Sequence, residues 1–216
     1  MKTKAILFDF DGTLVHSVDL LVSIFEEILA ENNFPLVSSD EIRKLIGEPL
    51  DEIFRKITPA TEFTELEKTF RQKELGKNNS THIEIVQETV PTLEFLKQAG
   101  LQLGVVSTKR VEVVLALAKE YGLEKFFDLI VGRDLITHPK PHPEPILYAC
   151  EQLKIKPQET LFVGDSLLDL KSAKAAKAPF VGVLTGVCSQ GDFEEHRADY
   201  IFSHVGELVN LCRRIK

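Results

Sequence analysis

Long hydrophobic runs are missing from this 216-residue sequence, so no segment is expected to span a membrane. Positive charge is also in short supply: 26 Lys and Arg face 33 Asp and Glu, a formal net charge of -7. That balance disfavours nucleic acid as a partner, because a phosphate backbone selects a basic face. Cysteine is scarce as well. Cys150, Cys188 and Cys212 are odd in number, far apart and without a metal-type pair. They read as buried or idle thiols rather than as a redox or metal centre, and they fit a reducing cytoplasm. The start, "MKTKAILFDFDGT", puts two lysines ahead of apolar residues but has neither a long apolar core nor a small-residue cleavage site. It does not read as an export signal. Repeats and low-complexity tracts are absent too.

What is present is an ordinary globular composition, 44% apolar and 27% charged, enough for one sizeable core or a core with a small insert. Short apolar runs recur as "AILF" (5–8), "LQLGVVS" (101–107), "FFDLIVG" (126–132), "TLFVG" (160–164), "PFVGVL" (179–184) and "DYIFS" (199–203). Helical patterns alternate with the later ones, over Val111–Tyr121, Glu144–Leu153, Leu168–Lys177 and Val205–Arg214. Strands alternating with helices predict an α/β fold: a Rossmann-like parallel sheet with helices on both faces.

Residues 17–85 break that rhythm. "DLLVSIFEEILAENN", "SSDEIRKLIG", "LDEIFRKI" and "TEFTELEKTFRQKELGK" all read as helix, and no strand run appears among them. Leu21, Ile24, Phe25, Ile28 and Leu29 share one helical face. Ser38 and Ser39 precede Asp40 and Glu41 in the manner of a capped helix start. The expected organisation is a core of residues 1–15 and 86–216 with an all-helical insert, 16–85, after the first strand.

Ligands of open parallel sheets bind beyond the carboxyl ends of the strands. The first run ends in Asp9-Phe10-Asp11-Gly12-Thr13, the second in Ser107-Thr108-Lys109, the fourth in Gly164-Asp165-Ser166, with Asp169 just beyond. Lys140 stands in the stiff "HPKPHPEP" segment ahead of the fourth run. These groups suit phosphate ester chemistry. Asp9 is already ionised at neutral pH and needs no base to act as nucleophile. Asp11 could protonate the leaving oxygen and then deprotonate the attacking water, and Gly12 allows close backbone approach. Acids so crowded need a cation, and Mg2+ prefers carboxylate oxygens, water and phosphate. Asp9 and Asp165 are expected to bind it through their carboxylates and Asp11 through its carbonyl. Asp169 would hold a metal-bound water or Lys140. Ser107, Thr108 and Lys140 would grip phosphoryl oxygens.

These residues resemble the haloacid dehalogenase superfamily in its phosphatase branch. Asp9, Asp11 and Thr13 match its Asp-x-Asp-x-Thr motif, Ser107 the second motif, Lys140 the third, and Gly164, Asp165 and Asp169 the fourth, in order along the whole chain. The resemblance implies a Rossmann-like core, magnesium, an aspartyl-phosphate intermediate and a helical cap. "IRKLIGEPLDEIF" (42–54) is similar to the cap of phosphoglycolate-phosphatase-like members and their pyrophosphatase relatives. It implies Gly47 in a cap loop facing the site, with Arg43 and Lys44 as nearby cations for a substrate anion. The sequence departs from the family at His16, where an acid is common, at Glu88-Thr89, where Pro-Gly is common, and at Ser107-Thr108-Lys109.

Plainer readings stand beside these. Asp9 and Asp11 could be strand-end polar residues, Asp165 a helix cap, and Asp169 a helix-surface charge. His16 reads better as a surface residue of the first cap helix than as a substrate contact. His138 and His142 flank Lys140, but a proline-rich loop with carboxylates nearby for a hard ion argues against a metal there. The "EEHRADY" charges (194–200) read as a solvated turn. The expected function is a magnesium-dependent phosphatase of a small phosphorylated metabolite, phosphoglycolate first. It would act as monomer or homodimer, with neither nucleic acid nor membrane as partner. The alternatives are a pyrophosphatase, a sugar phosphomutase, and a phosphoacceptor module without turnover.

Overall fold

A computed structural model describes residues 3–76 and 83–214. Lys77, the end of the fourth expected insert helix, and the first two residues of the leader reading lie outside these. The core is one sheet of six parallel strands: β1 (Ala5–Phe8), β4 (Gln102–Val106), β5 (Leu129–Val131), β6 (Thr160–Gly164), β7 (Phe180–Val183) and β8 (Tyr200–Phe202), in the order β5-β4-β1-β6-β7-β8. β1 lies between β4 and β6 and is buried throughout, which is why it reads as an unbroken apolar run. Its side chains alternate between two cores. Ile6 and Phe8 face a layer with α5 (Thr89–Gln98), α6 (Val111–Glu120) and α10 (Leu208–Arg214). Leu7 faces α7 (Glu144–Leu153), α8 (Leu167–Ala176) and α9 (Gln190–Glu195). The expected α/β fold is what the chain adopts. The order reverses direction at β1, so a crevice opens beyond the carboxyl ends of β1, β4 and β6.

The segment after β1 carries α1 (Val18–Glu31), α2 (Ser39–Arg43), α3 (Leu50–Ile57) and α4 (Thr64–Glu74). α1 packs against α2 and α4, and α3 against α4. Their shared centre is aromatic, with the Phe25 ring 5.2 Å from Phe54 and 4.6 Å from Phe70. Ser38 and Glu41 form the capping box that starts α2. No helix among the described residues is long and apolar enough to cross a membrane.

Three local expectations are corrected. The insert is not free of strand, because β2 (Val15–His16) and β3 (Glu84–Ile85) pair antiparallel where the chain leaves and re-enters the core. Two residues are too few to show a period of two. Helix α5 went unread because Thr89 and Thr92 share its buried face with Leu93 and Leu96, which blurs the apolar stripe; Thr89 Oγ1 donates to the Leu14 carbonyl at 2.9 Å. Helix α9 buries only Phe193 and is started by a Ser189–Asp192 capping box. It replaces part of the expected solvated turn.

Candidate active site

Parallel strands end at one edge, so the residues that follow β1, β4 and β6 meet there. The Asp9 N–H donates to the Val163 carbonyl at 2.8 Å, and that of Ser107 to Val131 at 2.9 Å, so both backbones extend the sheet's ladder by one bond. Lys140 comes from the loop before α7. Its ammonium lies 3.0 Å from Asp9 Oδ1, 2.6 Å from Asp169 Oδ1 and 3.4 Å from the Val106 carbonyl, with 2% of the side chain exposed. Three contacts match the three donors of an ammonium.

Asp169 is fully buried, so it is no helix-surface charge. It is the third residue of α8 in a capping box whose cap is Ser166, not Asp165; Asp169 Oδ2 accepts from the Ser166 hydroxyl at 2.5 Å and its N–H at 3.1 Å. The other oxygen of Asp169 is left to hold Lys140. Asp165 accepts from Thr13 Oγ1 at 3.1 Å and from the Val187 N–H at 3.0 Å.

Carboxylate oxygens of Asp9, Asp165 and Asp169 lie within 4.8 Å of one another. Burial is the main influence on Asp9. It outweighs the pull of Lys140, and with repulsion from Asp169 and Asp11 it pushes the carboxyl up to about 7. Burial, then Asp169 and Asp9, push Asp165 well above the usual carboxylate range. Burial opposes the charge on Lys140, but Asp169 and Asp9 outweigh it and hold the ammonium above its ordinary pKa. One ammonium thus faces three buried carboxyls. Negative charge left over in an all-oxygen donor set fits a hard divalent cation.

Asp11 looks elsewhere. Its Oδ1 accepts from Ser17 Oγ at 2.5 Å, and its Oδ2 lies 2.8 Å from Lys109 Nζ. A cavity of about 460 Å³ lies over these acids, between the sheet edge and α1, α3 and α4. Asp9, Asp11, Thr108 and Asp165 line it from the sheet, and Gly47, Ile53 and Phe70 from the helical side. Gly47 lines the cavity from the loop between α2 and α3. Ser107 is buried beneath, its hydroxyl accepting from the Lys109 N–H at 3.2 Å.

Three expected residues are elsewhere. His16 is exposed in β2, on the surface as read but in a strand rather than a helix, because the ribbon precedes α1. Arg43 pairs with Asp19, and neither it nor Lys44 lines the cavity. Among the described residues, the cations that do are Arg71, Lys109, Arg110 and Arg133, none of which the sequence singled out as a site residue. His138 and His142 stack with ring centroids 4.6 Å apart and share Glu144, which the sequence reading had not joined to them. That carboxylate accepts from the N–H groups of Thr137 (2.7 Å) and His138 (2.9 Å) and meets the His138 ring at 2.8 Å. The Thr137 bond, then the ring, hold it down to about 2. Its visible work is to brace the loop that carries Lys140.

The turn after β7 was also missed. Thr185 Oγ1 donates to the Gly12 carbonyl at 2.6 Å, and Val187 and Cys188 N–H groups bond Asp165. The same strand-end rule that found Asp9 would have found it. Gly12, at φ +69°, and Gly186 press on Asp165 from two sides: a Cβ would come 2.5 Å from Asp165 Oδ2 at Gly12 and 1.8 Å at Gly186. A methyl at Gly186, where the backbone is unstrained, therefore displaces the acid itself. Gly186→Ala is expected to cost about 1–3 kcal/mol by overpacking and to weaken Mg2+ binding; a melt and a Mg2+ titration check both, and unchanged Mg2+ affinity would refute the cradle.

The comparisons with known proteins agree with this geometry. The model of the haloacid dehalogenase-like hydrolase family matches residues 6–183. Pyrophosphatase PpaX of Bacillus mycoides strain KBAB4 is 34% identical over 221 residues, covering 100% of this chain and 99% of that protein. A haloacid dehalogenase-like hydrolase from Bacteroides fragilis superposes with a TM-score of 0.85 at 34% identity, over 96% of this chain and all of that one. The "predicted phosphoglycolate phosphatase" of Haemophilus somnus 129pt superposes at 0.89 with 27% identity, over 98% of both chains. With its motifs, its fold and these full-length likenesses in agreement, the chain belongs to the haloacid dehalogenase-like hydrolase family, in its phosphatase branch.

Proposed function

We propose that this chain is a magnesium-dependent phosphatase that hydrolyses a small, soluble phosphorylated compound through a phosphoryl group carried on Asp9. The observation that carries the proposal is the meeting of Asp9, Lys140, Asp165 and Asp169 beneath one cavity. Asp9 and Asp165 would hold the ion, with the Asp11 carbonyl, and Asp169 would hold Lys140. When bound, Mg2+ supplies positive charge to the crowded acids and to phosphoryl oxygens.

In the first step the Asp9 carboxylate attacks phosphorus, the bond to the leaving oxygen breaks, and Asp11 gives that oxygen a proton. In the second, Asp11 takes a proton from water, which reopens the acyl phosphate and returns Asp9 and orthophosphate. Lys140 keeps Asp9 oriented, and Ser107 and Thr108 serve the phosphoryl oxygens. Residues 16–85 supply the cap over this chemistry, and residues 1–15 and 86–216 the catalytic core. The 460 Å³ cavity favours compact substrates.

Phosphoglycolate is one such substrate. Inorganic pyrophosphate is the second reading, favoured by the full-length likeness to a PpaX pyrophosphatase. Orthophosphate release from both, with Mg2+ and with acid-quench trapping of phosphoenzyme, tests the proposal. Turnover of either supports it. A sugar phosphate isomerised without free phosphate would indicate a mutase, and stable phosphoenzyme without turnover an acceptor module.

Proton linkage gives an independent check. Burial pushes Asp9 up to about 7 and raises Asp165 as well, so from about pH 4 upward the folded, metal-free protein keeps protons that the unfolded chain has lost, the Asp9 proton until about pH 7. The contribution of these groups to metal-free stability therefore falls as pH rises through that window. Mg2+ needs the ionised acids, so its affinity rises over the same window. Titration calorimetry in buffers of different ionisation heat is expected to show more protons released per ion at pH 6 than at pH 8. Equal release at both would contradict it.

A further inference from the structure

Glu74 is the last residue of α4, on the helical side of the cavity, and is 4% exposed. Its Oε1 lies 2.5 Å from Lys109 Nζ and, apart from that ion pair, has no hydrogen-bond partner among the described residues. Lys109 also meets Asp11 at 2.8 Å, and only 11% of its side chain is exposed. Both carboxylates and the ammonium line the cavity. The other cations there are engaged away from Asp11: Arg71 with Glu67, Arg110 with Glu112, and Arg133 with the Ile136 carbonyl. Among the described residues Lys109 is thus the ammonium beside Asp11, and one of its partners is an acid brought from 35 positions earlier in the chain, on a different layer.

An anion that reaches Lys109 must either displace the Glu74 carboxylate or lie against it. Displacement breaks a buried ion pair, and coexistence sets two negative charges side by side where little water screens them. Either way Glu74 works against the anion. We propose that Glu74 is a specificity-determining residue: it occupies the place on Lys109 that a substrate's second anionic group would take, and so restrains affinity for substrates with two anionic groups relative to those with one. This rests on the reading of the cavity as a phosphoryl site, and it identifies the residue that weighs a compact bis-anion against a simple monoester. A strut that merely tied α4 to the sheet would behave differently, since its removal would weaken every ligand alike.

The test uses the full chain with Mg2+ and two non-hydrolysable probes, methylenediphosphonate and methylphosphonate, titrated calorimetrically. Glu74→Gln is expected to tighten methylenediphosphonate about tenfold, the scale of one charged contact, and to move methylphosphonate much less. In a Lys109→Met background, Glu74→Gln is expected to bring the bisphosphonate much less gain than it does alone. Because Gln can still accept a bond from Lys109, Glu74→Ala repeats the test without that bond, and a melt of each variant verifies folding. An unchanged or weakened bisphosphonate in both Glu74 variants, or an equal shift of the two probes, overturns the proposal. Failure of the wild type to bind either probe overturns the phosphoryl-site reading and this inference with it.

Discussion

On the proposed mechanism, Asp9→Asn is expected to lower orthophosphate release by at least about 10⁴-fold at saturating Mg2+, because an amide could not form the acyl phosphate. Folding moves the other way. In the wild type without metal at pH 8, burial disfavours the Asp9 charge, and Asp169 and Asp11 add to the penalty. An amide of the same shape removes that penalty and still offers Lys140 an oxygen. The metal-free variant is therefore expected to melt above the wild type at pH 8. The gap narrows as pH falls below about 7, where the wild-type acid takes up its proton. Phosphate release and EDTA melts at pH 8 and pH 5 check both halves. Wild-type turnover, or a lower melting temperature at pH 8, counts against the assignment. The expected opposition of stability and activity is the ordinary cost of a site built from crowded like charges.

Lys140→Met is expected to do the greatest damage to the fold of any single change at the site. The Lys140 side chain is 2% exposed, and its ammonium is shared by Asp9, Asp169 and the Val106 carbonyl. Removing one partner of a buried ion pair costs about 3–5 kcal/mol, because the remaining charge is left in a poor solvent. In a chain of 216 residues that is a loss of about 10 °C in melting temperature. The loss is largest at pH 8 and shrinks toward pH 5, where the abandoned Asp9 carboxyl protonates instead. Asp9→Asn added to Lys140→Met restores part of the stability, since the two share one network and their effects do not add. Denaturant melts of the four proteins at both pH values decide it. Additive losses would mean that the pair does not carry the charge balance described.

Much of this site was legible before any coordinates because of where parallel strands stop. β1 is buried on both faces and reads as "AILF", so two acids beyond it mark the edge where β4 and β6 also end. Asp169 was legible as a partner of Lys140, although its place in the α8 capping box was not. The elements that escaped had weak local signals: the two-residue β2–β3 ribbon, α5 with threonines on its buried face, and α9 with a single buried phenylalanine. The Thr185–Val187 turn escaped for a different reason. It follows the strand-end rule but carries no charge to draw attention.

The cations of the helical segment show where reading along the chain runs out. Arg43 and Lys44 sit next to Gly47 in sequence, yet Gly47 lines the cavity and they do not. Arg71 and Glu74 do, from a helix the sequence analysis marked for no site residue, while Lys109 lies one residue from Thr108, a residue the strand-end rule had marked. What the sequence alone determined was the layered α/β core and the row of acids, hydroxyl and lysine at its edge, because strand direction and alternation are local properties of the backbone. Only the tertiary structure decided which charges close over that row. That depends on how Phe25, Phe54 and Phe70 lock three helices together, a packing contact between residues far apart in the chain that no short-range pattern encodes.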